Sequence, residues 1–435
     1  MQASAAPGHL ANAPVLIIGA GLAGWTAARE LRKLNADLPI TLITADSGDF
    51  YAKPSLSNAL AQKKSPDQLI TTPAAQMAQQ LALQLMPHTR VTRIEPAAQR
   101  VLTDVGEVAY SQLVLATGAQ PIRVPLQGSA AQEVLSVNSW DDYRIFYEKL
   151  VSRRHENCAE CYENKSNRVA VSHKTHVLIM GAGLIGAEFA NDLSAAGYAV
   201  TVVDPSDRAI AGLLPPAASS GLQEALRAHH VTWKFGQSVQ RLEYGQDRRL
   251  LAQLSQGEWL ACDLVLSAIG LRPDLSLAKE ACLAVERGIV VNAQVQTSDP
   301  LIYALGDGAQ YAASSLGSAS RPLPYVLPIM QAAKVLAANI IAQREARALV
   351  DLKFPVMPVA IKTPALPMTI APPAPGTSGS WQADQATSLE WQWLDAQGAL
   401  KGFALAGKAT GQRGKWLQAL QAAVPEATSP HETVN

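Results

Sequence analysis

Two glycine triplets share one spacing in this chain, Gly19-x-Gly21-x-x-Gly24 and Gly181-x-Gly183-x-x-Gly186. Each opens out of an apolar, β-rich run and leads into an amphipathic stretch: VLIIGAGLAGWTAARELRKL at 15–34 and VLIMGAGLIGAEFANDLSAAG at 177–197. The chemistry available to such a turn is anion binding. The first glycine permits the tight strand-to-helix turn, and the second lets backbone N–H groups approach a pyrophosphate with no Cβ between them. The third lets the helix pack closely on its strand. Unpaired N–H groups at the positive helix end then face the phosphates.

Three carboxylates stand where a dinucleotide would need them. A second apolar strand follows each turn, ITLITAD at 40–46 and AVTVVDP at 199–205, and an acid at its end suits ribose hydroxyls. In the second copy this is Asp204, which would repel a 2′-phosphate and favours NADH over NADPH; Arg208, four residues on, argues the other way. In the first copy Thr44 holds the strand end and Asp46 follows, a departure from the usual Glu. The third acid is Asp307, after the apolar run of LIYALGDGAQ at 301–310. Beside the permissive Gly306 it can bond a polyol, although such a pair also serves as an ordinary turn. A helix opening near Pro324–Val326 would aim its N-terminus at an electron-rich ring.

The elements that must position these groups are two βαβ units. Each ends in a similar exit, QLVLATGAQP at 112–121 and DLVLSAIGLRPD at 263–274, so the second unit is inserted in the first. The expected architecture is α/β: a discontinuous first domain over 1–121 and 272–350, a second over 122–271, and a third over 351–435. The third has turn-bounded alternating runs closed by a helix near 411–423, which read as a small α+β domain. A helix is expected at 66–82 and strands near 89–95 and 99–103.

With 435 residues the chain accommodates such a set of domains. Lys plus Arg equals Asp plus Glu, 36 each, which gives no bulk field for nucleic acid or an anionic membrane. No continuous apolar run approaches the roughly 20 residues that span a bilayer. The first dozen residues hold no Lys or Arg and no apolar core, and read as a disordered lead-in to a cytosolic protein. Four cysteines make no disulfide framework; Cys262 and Cys282 read as small buried hydrophobes.

Beyond the glycine fingerprint, YAKPSLS (51–57), ATGAQPIRVP (116–125), SAIGLRPD (267–274), IYALGD (302–307), YVLPIM (325–330) and AIKTPALP (360–367) resemble the flavin-dependent pyridine-nucleotide-disulfide oxidoreductase superfamily, and within it the bacterial rubredoxin reductases. The resemblance runs through almost the whole chain. It implies a glutathione-reductase-like pair of Rossmann-like dinucleotide-binding domains, with FAD in the first and NADH in the second. The disulfide-reducing members carry a Cys-x4-Cys pair after the first unit, but no cysteine precedes Cys158 here. The oxygen- and peroxide-reducing members place a single Cys where Ser55 and Ser57 stand. Ferredoxin reductases typically have a Trp-containing segment beside the flavin; after Gly306-Asp307 no Trp occurs before Trp381.

Carried over by position, the resemblance implies FAD contacts from Gly19, Ala20, Gly21, Leu22, Gly24, Ile43, Thr44, Asp46, Val91, Thr117, Gly118, Gly306, Asp307 and Val326. Lys53 and Glu188 match a catalytic pair that approaches the flavin ring from opposite domains, and Lys362 matches a flavin-proximal lysine from the third. Gly181, Gly183, Gly186 and Asp204 would hold NADH. Lys53 with Glu188 also reads as an interdomain salt bridge of little worth, and Lys362 as an exposed strand lysine. The implied partner is rubredoxin or a similar small iron–sulfur protein, met by a monomer or weak dimer. Lys401, Lys408, Arg413 and Lys415 would guide it, or form a solvated face. A ferredoxin or flavodiiron acceptor, and a redox-signalling role like that of apoptosis-inducing factor, are the alternatives.

One segment lies outside the resemblance. Residues 152–176, SRRHENCAECYENKSNRVAVSHKTH, are polar and loop-like and hold Cys158 and Cys161 with His155, His173 and His176. Zinc binding, a redox switch and an inert loop are all open to it, with the inert loop favoured.

Overall fold

Parallel pairing dominates both glycine-bearing units, because each strand that feeds a glycine turn is apolar on both faces. In the computed structural model, which describes residues 12–163, 174–245, 249–383 and 389–422, the first sheet has the order Ile302–Ala304, Gln112–Leu115, Val15–Ile18, Ile40–Ile43, Gln84–Met86. Neighbours run parallel throughout. All four residues of Val15–Ile18, Ile40–Ile43 and Gln112–Leu115 are buried, as expected of a sheet covered on both faces. The helix Leu22–Leu34 packs on this sheet and on the long helix Val326–Arg344, around Trp25, Leu31, Leu336 and Ile340.

The second sheet repeats the plan in the order Val134–Ser136, Leu264–Ser267, His176–Met180, Ala199–Asp204, Val231–Phe235, again parallel. The repeat extends further than the glycine turns. Each unit carries a three-stranded antiparallel sheet, Val91–Ala109 in one and Val239–Cys262 in the other. The two exits, Ala119–Pro121 and Leu271–Pro273, pair with each other as an antiparallel ribbon. The chain therefore crosses between units through one two-stranded connection.

A third sheet is antiparallel, ordered Val359–Ile361, Met368–Ala371, Leu400–Ala406, Glu390–Leu394, Ser380–Ala383. Trp416 and Leu420 of the closing helix Arg413–Ala422 cover Phe403 and Leu405.

Several expectations are corrected. The stretch at 66–82 is not one helix: a 3-10 turn at Pro66–Leu69 and a strand at Ile70–Thr72 precede a helix confined to Ala74–Gln80. Pro73 is the reason, since the residue before a proline is driven from the helical region. The supposed loop after 152 begins as helix, because Trp140–Glu163 is continuous and contains neither Gly nor Pro. The side chains of Cys158 and Cys161 and residues 164–173, with His173, lie outside the described residues. His176 opens a strand, its Nδ1 3.0 Å from the Ala261 carbonyl and its Nε2 2.9 Å from Thr201 Oγ1. Cys262 is buried, which pushes its thiol up to about 12, but Cys282 is exposed at a turn residue with φ of 56°. Among the described residues, Val326–Arg344 is the one helix long and apolar enough to cross a membrane by length and composition, although polar residues interrupt it; 56% of its most apolar window is buried inside the protein.

Candidate functional site

The six fingerprint glycines divide by what a side chain would strike. A Cβ on Gly19, whose φ is +105°, would lie 2.3 Å from the Ala116 carbonyl oxygen, and one on Gly24 would lie 1.8 Å from that of Gly19. In the second turn a Cβ on Gly181, also at φ +105°, would fall 2.5 Å from the Ala268 carbonyl, and one on Gly186 would fall 1.9 Å from that of Gly181. Gly21 and Gly183 behave otherwise: no atom lies within 4 Å of a Cβ built on either. Their φ values of −71° and −70° are open to any residue, so their bareness serves the space in front of them.

That space is one connected cavity of about 3000 Å³ running past both turns. Gly19, Ala20, Gly21, Leu22, Ile43, Thr44, Asp46, Val91, Thr117, Gly118, Asp307 and Val326 line it beside the first sheet. Gly181, Gly183, Glu188 and Asp204 line it beside the second, and Lys53 and Lys362 border it between them. Gly24, Gly186 and Gly306 do not line it. The first two sit behind the turns as packing contacts, and a Cβ on Gly306 would come 2.9 Å from Ala23 Cβ.

Local bonding explains how the acids are held. Thr44 Oγ1 donates to Asp46 Oδ1 at 2.5 Å, and the Gly48 N–H donates to the same oxygen at 3.0 Å, so Asp46 caps the turn after its strand. Asp204 Oδ2 accepts the Ala182 N–H at 2.6 Å, and its Oδ1 accepts the Ser206 N–H at 2.7 Å. Asp204 thus braces the second glycine turn from the adjacent strand. Arg208 donates to Asp207 at 2.8 Å and to the Ala211 carbonyl at 3.1 Å. Its terminal nitrogens are held by its own loop.

The pairing of Lys53 with Glu188 is corrected. Lys53 Nζ lies 3.8 Å from Asp307 Oδ2, whereas Glu188 accepts Ser57 Oγ at 2.6 Å and the Lys362 N–H at 3.0 Å. Among the described residues, the buried Glu188 has two neutral donors and no ammonium at ion-pair distance, while Lys53 lies beside Asp307. Enclosure lowers the pKa of Lys53, opposed by Asp307, although two-fifths of its side chain meets the cavity. Desolvation raises that of Glu188, opposed by Ser57 and Lys362. Lys362 Nζ reaches the Pro54 carbonyl at 3.3 Å, beside Lys53. The sequence weighed Ser57 only as the occupant of a cysteine position; its role as a donor depends on the docking of two distant segments.

The residues present fit bound dinucleotides. Thr117 Oγ1 is buried with no partner at the cavity wall, and Val326 and Leu327 leave 41% and 49% of their surface exposed at the start of the long helix. An unpaired buried hydroxyl is costly unless something else supplies its bond. Tyr325 caps that helix without a side-chain hydrogen bond, and no acid lies in the first turn, so its N-terminal N–H groups suit an electron-rich ring. Among the described residues no group of three or more His, Cys, Asp or Glu gathers at metal distance.

Comparison with known proteins agrees with this geometry. Residues 13–331 match the family model described as pyridine nucleotide-disulphide oxidoreductase, and residues 351–420 match a rubredoxin binding C-terminal domain. The chain is 38% identical to a rubredoxin-NAD(+) reductase of Alcanivorax borkumensis over 95% of its own length and 100% of that protein's. It is 36% identical to a nitric oxide reductase FlRd-NAD(+) reductase of Aeromonas hydrophila, over 90% of this chain and 92% of the other. The putidaredoxin reductase of a covalent complex with putidaredoxin has the same fold, with a TM-score of 0.78 at 24% identity, covering 95% of this chain and 93% of that one. The chain therefore belongs to the pyridine nucleotide-disulphide oxidoreductase family and is an oxidoreductase with rubredoxin-NAD(+) reductases among its relatives.

Proposed function

We propose that the protein takes reducing equivalents from NADH through bound FAD and delivers them one electron at a time to rubredoxin or a similar small iron–sulfur protein in the cytosol. The observation that carries this reading is the single cavity onto which both glycine turns open, one wall of which belongs to the segment matching rubredoxin-binding domains, through Trp381, Trp393, Lys401 and Arg413. In this reading 1–121 with 272–350 holds FAD, 122–271 holds NADH, and 351–435 helps meet the acceptor.

Bound FAD would supply a ring system that accepts a hydride equivalent and releases electrons singly. The chain supplies binding, orientation and electrostatics. The N–H groups at Gly21 and Leu22, with Thr117 and Gly118, would hold one pyrophosphate, and those at Gly183 and Leu184 the other. Asp204 would orient the ribose of NADH. Lys53, Lys362 and the helix end at Val326, all lining the cavity, would in this reading stabilise negative charge on a reduced ring. No general base is required; close stacking of the two rings provides the effective concentration.

Steady-state NADH oxidation by the FAD-loaded protein, with purified rubredoxin and with ferredoxin, tests the proposal. Rubredoxin should be reduced faster; equal or faster reduction of ferredoxin would overturn the choice. The relatives named FlRd-NAD(+) reductases favour a second acceptor, a flavodiiron protein, which the same assay ranks beside rubredoxin.

A further inference from the structure

The helix that leaves the second glycine turn, Leu184–Ala195, carries Glu188, Asn191 and Asp192 on one face, and all three are buried, at 6%, 3% and 1% exposure. Among the described residues, the side-chain oxygens of all three accept from segments outside their own unit. Glu188 takes Ser57 Oγ and the Lys362 N–H, and Asn191 Oδ1 takes the Ala365 N–H at 3.0 Å. Asp192 takes the N–H groups of Leu60, at 3.0 Å to Oδ2, and of Ala61, at 2.8 Å to Oδ1. One helix face thus fastens two segments that each bring a lysine to the cavity, 53–61 with Lys53 and 362–365 with Lys362. Lys362 Nζ closes the triangle at the Pro54 carbonyl.

The choice of Asp at 192 is informative. Burying a carboxylate costs free energy unless hydrogen bonds replace its hydration. Two consecutive amide N–H groups present a fork that only a carboxylate meets with two acceptor oxygens; an asparagine has one and turns donors toward the other N–H. No ammonium or guanidinium shares the site, so Asp192 is no member of an ion pair among the described residues. Its work is directed at the backbone of the Lys53 segment.

We propose that Asp192 is a positioning residue for the hydride step: by gripping Leu60 and Ala61 it ties the Lys53 segment to the helix whose first turn receives NADH, and so keeps Lys53 in register with the reacting rings. This rests on the NADH–FAD reading above. Asp192 touches neither nucleotide and exchanges no proton or electron; it acts through Lys53.

Asp192→Asn is the test, with three readouts. In the cofactor-free protein, amide hydrogen exchange at Leu60 and Ala61 should quicken about tenfold or more. Flavin content and the NADH dissociation constant should stay near wild type. The limiting rate of flavin reduction in stopped flow should fall about tenfold or more, since small displacements at a reacting centre are amplified in rate. A limiting rate within twofold of wild type overturns the proposal, whatever the exchange result, because a purely structural clamp would loosen without slowing reduction. If the variant does not fold, exchange in the wild-type protein decides: Leu60 and Ala61 should be protected together with Leu184–Ala195, and exchange as fast as an exposed turn overturns the clamp. Wild-type protein that binds FAD but is not reduced by NADH sinks the functional reading itself, before any variant is made.

Discussion

The carboxylate of Glu188 accepts the backbone N–H of Lys362 at 3.0 Å, across 174 residues of sequence. This bond joins the second glycine-turn helix to the third sheet at the border of the cavity. It also places an acid where burial raises its pKa above the ordinary 4.5, against the lowering effect of Ser57 and Lys362.

A pH dependence of stability follows. Between the ordinary value of 4.5 and the raised folded value, folded Glu188 binds more protons than unfolded Glu188. Stability attributable to this group is therefore greatest at acid pH and is lost as pH rises through that window. Glu188→Gln should remove this component, so the difference in urea midpoint between variant and wild type should move in the variant's favour from pH 4 to pH 7. A constant difference would show that Glu188 titrates as it does in the unfolded chain.

The glycines of one motif should fail in different ways. Gly24→Ala places a methyl 1.8 Å from the Gly19 carbonyl oxygen, which forces the helix off its strand and destabilises the fold by about 1–3 kcal/mol or more. Gly21→Ala meets no atom within 4 Å and has an ordinary φ, so the protein should fold with a near-normal melting temperature but bind FAD poorly. Thermal melting of both apoproteins together with flavin titration separates the two roles. A Gly21→Ala protein that retains FAD normally would remove Gly21 from the pyrophosphate cradle.

Asp307 faces Lys53 at 3.8 Å from the end of its strand, on the cavity wall. Asp307→Ala should loosen or release FAD while the sheets remain intact. The flavin-to-protein absorbance ratio after gel filtration reads this directly, and an unchanged ratio refutes the assignment.

Asp204 holds the second glycine turn through Ala182 and borders the space expected to receive the NADH ribose. Because hydrogen bonds to a charged group are worth about 1.5–3 kcal/mol, Asp204→Ala should raise the NADH dissociation constant roughly tenfold or more, with FAD content unchanged. In the wild type, kcat/KM should favour NADH over NADPH, since Arg208 already donates to Asp207 and Ala211. Equal kcat/KM values for the two nucleotides would show that Arg208 is free to take a 2′-phosphate.

Local backbone demands made much of this molecule readable from the amino-acid order. Gly19, Gly24, Gly181 and Gly186 occupy places where a Cβ would strike a carbonyl, and such constraints act within a few residues, so they leave a spacing in the chain. The same holds for the paired exits at Ala119–Pro121 and Leu271–Pro273, for the buried strands, and for the helix that starts at Val326. What the order of residues left open was decided by the docking of units far apart in sequence. Lys53 faces Asp307 rather than Glu188, Ser57 and Lys362 take Glu188, and Asp192 grips Leu60 and Ala61, because burial selects whichever donor the packed neighbour presents. A hydrogen bond between two surfaces has no periodicity along either one, and it exists only once those surfaces have met.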